Sequence, residues 1–203
     1  VINRPEYIGA IKKRILNSED GSVFVATDFA DITDKKTASV ILTRIESDGI
    51  IRRVLRGVYD KPEYNEFLKE YVAPIPDNVA HAIARNFGWT IVPCGDTALN
   101  LLGLSTQVPA MWVYVSDGTY KEYAFGNTII QFKRTTNKEV SKLSYKTALT
   151  IQALKALGKD KIAESIINSL RKLLTVEEKN AMLQESKAAT SWIYEYIRQI
   201  CRG

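Results

Sequence analysis

The chain has 203 residues, of which 45% are hydrophobic and 25% charged, a composition typical of globular proteins with one large or two modest domains. A formal net charge of +5 is compatible with nucleic acid without requiring it. No apolar run reaches the roughly 18 residues of a membrane span, and the two distant cysteines, Cys94 and Cys201, favour a reducing compartment over a disulfide scaffold. We therefore expect a cytoplasmic protein without a membrane partner.

The first predicted elements are a helix, a small strand and a short second helix. An apolar face, with a proline in the first turn, indicates a helix from Pro5 to about Asn17. Val23–Val25 favours a strand. Thr27 is expected to cap a short helix over Asp28–Asp31, because a threonine hydroxyl accepts hydrogen bonds from the free N–H groups of a helix start.

A longer helix follows, with Thr33 as its expected cap and Gly49 as its expected left-handed stop. Apolar residues at i, i+3, i+4 and i+7 predict one buried stripe, formed by Ala38, Ile41, Leu42 and Ile45. The residues that lie off this stripe are Lys35, Lys36, Ser39, Val40, Thr43 and Ser47, with Arg44 at its border.

An arginine-rich ribbon comes next. Ile51–Leu55 alternates weakly, Arg56-Gly57 supplies a tight turn and Val58-Tyr59 starts the return strand. A short helix, a turn, a longer helix and a ribbon form the layout of a winged helix-turn-helix, in which the second helix enters the major groove and the wing grips the backbone. The sequence therefore predicts a winged helix-turn-helix domain at residues 1–65.

This layout predicts double-stranded DNA as a partner, because hydroxyls and cations on the longer helix can enter the major groove while wing arginines meet phosphates. The candidate DNA contacts are Lys35, Lys36, Thr37, Ser39, Thr43 and Arg44 on the helix, with Arg53 and Arg56 on the wing beside Arg52. Asp34 would repel phosphate unless it serves only the helix N-terminus. Winged helices also act as pure protein-contact modules, so an adaptor is the alternative interpretation.

Residues 74–203 are predicted to form a second, α+β domain after a linker at residues 61–73. A helix starting near Pro76, a short strand and a short helix precede three strands. Hairpin signals at Asp117-Gly118 and Gly126-Asn127 predict that these three strands form a small antiparallel meander. The rest of the domain is expected to be helical, with a capping box from Thr175 to Glu178 opening one of its helices.

Catalytic chemistry has little support. His81 is the only histidine, which disfavours Ser-His or Cys-His nucleophilic systems and multi-histidine metal sites, and no phosphate-binding glycine loop occurs. Cys94 near a helix start could have a lowered thiol pKa, but no partner base is evident, and we favour a buried cysteine. The acids Asp96, Asp117 and Glu122 are scattered. We expect no enzyme, no catalytic residue, no metal and no cofactor, with a metal-dependent nuclease as the lesser alternative.

One block of the second domain supports a more specific interpretation. The run PCGDTALNLLGLSTQVP at residues 93–109, followed by the strand MWVYVSDG, resembles a block typical of AbiEi-type antitoxins of type IV toxin–antitoxin systems. The run RRVLRGVYDKP at residues 52–62 also resembles the wing end of that family's N-terminal domain. The matching blocks cover about residues 23–62 and 76–133. They depart from the family pattern at Cys94, where serine is more usual, and at Asp96, where a small residue often sits.

The resemblance implies a bacterial transcriptional autoregulator of an abortive-infection (phage defence) operon. Such a protein represses the promoter of its own operon and neutralises a cognate nucleotidyltransferase-like toxin, and the second domain is then the antitoxic part. Ser105, Thr106 and Gln107 are candidate partner contacts, because ordered polar loops often carry function. The alternative is a purely structural turn, in which Gly103 stops a helix and the two hydroxyls bond locally.

Overall fold

The computed structural model describes residues 4–135 and 142–202. The chain divides into two compact units, Val1–Trp89 and Thr90–Gly203. Small sheets occur in both units and the C-terminal part is helical, which confirms the predicted α+β class.

The first unit combines helices with two small sheets. Its helices are α1 (Arg4–Leu16), α2 (Lys35–Ser47) and α3 (Pro76–Phe87), with a 3-10 turn at Ala26–Phe29. Its strands are β1 (Val23–Val25), β2 (Arg52–Leu55), β3 (Val58–Asp60), β4 (Tyr64–Asn65) and β5 (Glu70–Tyr71). The first three strands form an antiparallel sheet in the order β1-β3-β2, and the last two form a separate hairpin.

The predicted stripe of α2 is buried and belongs to the core of this unit. The cluster around it contains Ile11 and Ile15 of α1, Phe29 of the 3-10 turn, and Ala38, Ile41, Leu42 and Ile45 of α2. Burial of one isoleucine, leucine or phenylalanine side chain stabilises the fold by roughly 2 kcal/mol. This burial therefore sets the rotation of α2 about its own axis.

The expected cap at Thr27 is wrong. The 3-10 turn starts at Ala26, two residues earlier than expected, and the N–H of its cap residue Val25 donates to Asp28 Oδ2 at 2.9 Å. Thr27 consequently lies inside the turn, and its hydroxyl is buried with no hydrogen-bond partner among the residues that the structure describes. Strand pairing of β1 with β3 positions this turn, and sequence signals for capping do not include that constraint.

The predicted ribbon is present as β2 and β3, with Gly57 in the left-handed region (φ 79°) at its turn. Asp60, at the end of β3, is only 1% exposed. The Nε of Arg52 donates to Asp60 Oδ1 at 3.0 Å, and an Nη of the same guanidinium donates to the Val72 carbonyl at 2.9 Å. The hydrogen bond to Asp60 raises the pKa of Arg52. Arg52 is therefore a structural residue of the ribbon, and a phosphate contact by Arg52 stays a prediction.

Helix α3 belongs to the first unit, whereas the sequence had assigned it to the second domain. On α3, Arg85 donates through Nε to Asp28 Oδ1 at 2.8 Å and through an Nη to the Val23 carbonyl at 3.0 Å. These bonds join α3 to β1 and the 3-10 turn. The division between the units accordingly falls after Trp89, and not within the linker at residues 61–73.

The predicted linker contains the β4–β5 hairpin, and its apolar side chains are exposed. The Asn65 side chain accepts hydrogen bonds from the N–H groups of Phe67 (3.0 Å) and Leu68 (2.9 Å), which closes the turn. Phe67 at its tip is 92% exposed, and Tyr64 and Tyr71 stack edge-on across the strands. These residues are therefore surface groups of the first unit.

The second unit begins with a sheet and ends with helices. Its strands are β6 (Ile91–Pro93), β7 (Met111–Ser116), β8 (Lys121–Phe125) and β9 (Thr128–Arg134), with α4 (Asp96–Leu101) between the first two. Its later helices are α5 (Tyr145–Leu157), α6 (Glu164–Lys172), α7 (Val176–Glu185) and α8 (Ser191–Cys201), with 3-10 turns at Lys159–Lys161 and Ser186–Ala188.

The expected antiparallel meander is wrong in one pairing. The strand order is β6-β7-β9-β8, and β7 pairs with β9 in parallel, so the sheet is mixed. The Gly126-Asn127 signal does form the β8–β9 hairpin, but Asp117 instead accepts a hydrogen bond from the Thr90 N–H at 2.8 Å. Ile130 and Phe132 make β9 suitable for a central position, whereas the mostly exposed β8 takes the edge.

Helix α5 is the centre of the second unit. Every residue from Thr147 to Leu154 is buried, so all sides of the helix are covered. The helix packs against α4, β6 and α7 within one core cluster. The predicted capping box opens α7: the Glu178 N–H donates to Thr175 Oγ1 at 3.2 Å, and the Thr175 N–H donates to Glu178 Oε2 at 2.8 Å. Among the described residues, no helix is long and apolar enough to cross a membrane.

The Arg52–Asp60 pair generates a stability prediction. Arg52→Ala is expected to destabilise the chain by about 3 kcal/mol, because Asp60 is left buried without its partner. Arg53→Ala, which removes an exposed pair with Glu46 and a contact of the guanidinium with the Tyr59 ring, is expected to cost only about 1 kcal/mol. Urea denaturation followed by circular dichroism measures both values, and equal losses for the two variants would contradict the assignment.

Candidate nucleic-acid interface

The outer face of α2 is set by the burial of the stripe on its opposite side. Successive side chains of an α-helix are rotated by about 100° around the helix axis. The positions opposite the stripe are therefore Lys36, Val40, Thr43 and Ser47, and all four side chains are exposed. Lys35, Ser39 and Arg44 are also exposed and flank this line. The expectation that these residues lie outside the core is confirmed.

The N-terminus of α2 is capped by Asp34 and not by Thr33. Asp34 Oδ1 accepts hydrogen bonds from the N–H groups of Lys36 (2.9 Å) and Thr37 (3.0 Å), and Oδ2 accepts the Thr37 hydroxyl at 2.7 Å. The bond from the Thr37 hydroxyl, together with those from the backbone N–H groups, lowers the pKa of Asp34. The carboxylate thus serves the helix start, and the half-buried Thr37 uses its hydroxyl for the cap.

The lysines and the arginine of α2 differ in their partners. Lys35 Nζ donates to the carbonyl of Asn86, at the end of α3, at 3.3 Å. Within residues 4–135 and 142–202, Lys36 and Arg44 have neither an ion pair nor a side-chain hydrogen bond. Their charges are therefore available to an anionic partner.

Tyr59 of β3 links α2 to the ribbon. The Thr43 hydroxyl lies 3.2 Å from the Tyr59 hydroxyl, and it also donates to the Ser39 carbonyl at 3.1 Å. The guanidinium of Arg53 lies over the Tyr59 ring, 5.4 Å from its centroid, and donates to Glu46 Oε2 at 2.9 Å. The ribbon is thus held beside the C-terminal half of α2. The sequence offered no signal for Tyr59, because its role depends on strand pairing.

The predicted DNA contacts therefore divide into two groups. Lys35, Thr37, Thr43 and Arg53 already make hydrogen bonds or ion pairs within the protein. Among the described residues, the side chains without such a partner are Lys36, Ser39, Arg44 and Arg56. Arg56 is exposed at the ribbon turn. The structure thus presents unpaired cations on the α2 face and on the ribbon.

The first unit also contains a pocket of about 480 Å³, which lies between α1, β1 and α3. Arg14 and Arg85 line it together with His81 and Asp28. Arg85 pairs with Asp28, and Arg14 donates to the Asp28 carbonyl at 3.1 Å and to Asp31 Oδ1 at 2.9 Å. These arginines are therefore already neutralised, which makes the pocket less suited to an anion than the α2 face.

The polar loop of the second unit is partly a local structure. Ser105 Oγ accepts a hydrogen bond from the Gln107 N–H at 3.2 Å, and Asn100 donates to the Gln107 carbonyl at 2.9 Å. Gly103 has a left-handed φ of 65°, as expected for a helix stop. The side chains of Thr106 and Gln107 are exposed. The structural interpretation of Gly103 and Ser105 is confirmed, and a partner contact at the loop stays a prediction.

The cysteine at the start of α4 does not have the properties of an activated thiol. Burial raises the pKa of Cys94, and the nearby Lys133 only partly offsets it. The raised pKa agrees with the interpretation of Cys94 as a buried cysteine, because the side chain is largely removed from water. Within the described parts of the chain, no group of three or more His, Cys, Asp or Glu residues could hold a metal ion.

The chain matches the model of a known protein family. A family model described as "Family of unknown function (DUF6088)" matches residues 10–182, which span parts of both units. No curated protein matches the chain.

The capping role of Asp34 predicts a specific pH dependence. Because its folded-state pKa is lowered, the ionised cap stabilises the fold above the ordinary aspartate pKa, and this contribution is lost as the pH falls through the lowered value. Asparagine caps helices without titrating. The wild type should therefore lose stability relative to Asp34→Asn as the pH falls from about 5 to below the ordinary aspartate pKa of about 3.9. Thermal unfolding at several pH values measures this difference, and a constant difference would contradict the role.

Proposed function

We propose that this chain, which belongs to the DUF6088 family of unknown function, is a DNA-binding transcriptional autoregulator that acts as the antitoxin of a type IV toxin–antitoxin system. Its partners are then the promoter of its own operon and a nucleotidyltransferase-like toxin. The role is non-enzymatic and needs no cofactor, and its location is the cytoplasm.

The element order of the first unit supports a winged helix-turn-helix. Helix α1, strand β1, the 3-10 turn, α2 and the β2–β3 ribbon follow one another along the chain. Strand β1 pairs with β3, so the ribbon is attached to the segment that precedes the turn. In this interpretation α2 is the helix that enters the major groove, and the ribbon is the wing.

The observation that carries the DNA-binding proposal is the distribution of unpaired cations. Lys36, Arg44 and Arg56 have no carboxylate partner among the described residues, whereas Arg52 and Arg53 are paired with acids. Cations without an internal partner can bind DNA phosphates and release the phosphates' counterions. No ion pair within the protein has to be broken for this binding. These three lie on the elements that the winged layout assigns to groove and backbone.

The antitoxin part of the proposal is supported by the resemblance to AbiEi-type antitoxins and by the independent core of the second unit. The resembling block at residues 93–109 covers α4 and the loop that leads towards β7. The core cluster of this unit is built from its own strands and helices. A unit with its own core can have a function that is separate from DNA binding.

DNA binding should depend on the unpaired cations more than on the paired ones. Lys36→Ala and Arg56→Ala are each expected to weaken binding at all sequences and to reduce the salt slope by about one unit, because each removes one phosphate contact. Arg53→Ala should have a smaller effect, because its guanidinium is shared with Glu46. Mobility-shift titrations with promoter DNA at several salt concentrations provide the measurement.

Lys172→Ala is the matched control, since it removes the same charge from α6 of the second unit. It should leave the affinity and the salt slope unchanged. If the double variant Arg53→Ala/Arg56→Ala kept the wild-type affinity and slope, the assignment of the wing would be wrong.

Toxin neutralisation should reside in the second unit. A fragment covering Thr90–Gly203 is expected to rescue growth of cells that express the cognate toxin, without repressing the promoter, because it retains its core and lacks α2. Co-expression with the toxin and a promoter–reporter assay measure the two activities. Rescue by Val1–Trp89 alone, with a folded but inactive second unit, would reverse the assignment.

A protein-interaction adaptor is the second candidate function. The observation that favours it is the β4–β5 hairpin, where Phe67, Leu68 and Tyr71 are exposed. Exposed aromatic and aliphatic groups that lie together often mark protein contacts. Absence of any shift with promoter DNA, combined with loss of a protein partner in Phe67→Ser, would favour the adaptor.

A further inference from the structure

The outer face of α2 contains an aliphatic side chain at its centre. Val40 is 55% exposed and lies one helical turn after Lys36, on the side opposite the buried stripe. A β-branched residue is a weaker helix former than the lysine or glutamine that would suit a wet position. Helix propensity therefore does not account for valine at this position.

The surroundings of Val40 form a shallow concave surface. A pocket of about 180 Å³ is lined by Val40, Thr37, Ile41 and Arg44 of α2, and by Ile8 of α1. The Thr37 hydroxyl is already bonded to Asp34. Arg44 is thus the group in this lining that has a charge and no partner among the described residues. The surface combines a small apolar depression with a free guanidinium.

We propose that Val40 contacts the 5-methyl group of a thymine in the major groove and thereby sets part of the sequence preference. The inference rests on the proposed DNA binding. In the major groove the thymine methyl is the apolar group by which a base pair is distinguished, and small aliphatic side chains are its usual partners. Lys36 and Arg44 beside Val40 provide the charge complementarity to phosphates or base edges that holds the helix against DNA.

A methyl-deletion cycle tests this contact. Promoter DNA is amplified with dUTP in place of dTTP, which removes every thymine methyl while retaining the backbone charge and the pairing groups of the bases. Wild-type protein should bind the uracil-containing DNA about four- to fifteenfold more weakly, the amount expected for one or two buried methyl contacts. Val40→Ala should bind both DNAs with nearly equal affinity.

Val108→Ala is the matched control, because Val108 is an exposed valine in a loop of the second unit. It should discriminate between the two DNAs as the wild type does. Circular dichroism of each variant verifies that the helical content is retained.

Each outcome of the cycle decides the proposal. Equal binding of both DNAs by the wild type would exclude a methyl contact while leaving DNA binding intact. Discrimination that persists in Val40→Ala would assign the methyl contact to another residue. If neither DNA is bound by the wild type, the proposed function fails, and the contact at Val40 fails with it.

Discussion

Burial of one stripe of α2 is the constraint on which the first unit depends. The stripe is held between α1 and the 3-10 turn, and it cannot rotate without exposing Leu42 and Ile45 to water. Because a helix is rigid around its axis, fixing this side also fixes the side chains on the opposite side. Lys36 and Val40 are therefore outward-facing as a consequence of core packing.

The exposed cations of this unit fall into two groups, those that are paired with a carboxylate and those that are not. Asp60 requires Arg52 because a buried carboxylate without a partner is strongly unfavourable, and Glu46 holds Arg53 beside Tyr59. These pairs stabilise the ribbon and its position beside α2. Among the described residues of this unit, the cations left without a partner include Lys36 and Arg44 on the α2 face and Arg56 at the ribbon turn, as well as Lys13 of α1 and Lys69 of the β4–β5 hairpin.

The second unit depends on a different element, the helix α5. Its continuous burial from Thr147 to Leu154 requires covering elements on all sides, which β6, α4 and α7 supply. The order of the strands in the sheet also follows from the burial of apolar residues. Apolar β9 lies beside β7, and the more polar β8 occupies the edge, where one side of the strand can face water.

Local signals in the sequence determined the elements that depend on near neighbours. The α2 stripe follows helical periodicity, and the left-handed Gly57 turn and the Thr175 capping box involve partners within a few residues, and all three were predicted. The caps expected at Thr27 and Thr33 were wrong, because neighbouring residues compete for the same N–H groups. For the candidate site, the sequence likewise determined which side of α2 is exposed. It did not determine which of the predicted DNA contacts were already engaged.

Tertiary structure decided the features whose partners lie far apart along the chain. The parallel pairing of β7 with β9, the attachment of α3 through Arg85 and the hydrogen bond from Lys35 to Asn86 each join segments that no local pattern connects. The physical reason is that hydrogen-bond and charge partners are chosen by proximity in the folded core. Helix periodicity and turn chemistry report only the conformation of one short segment at a time.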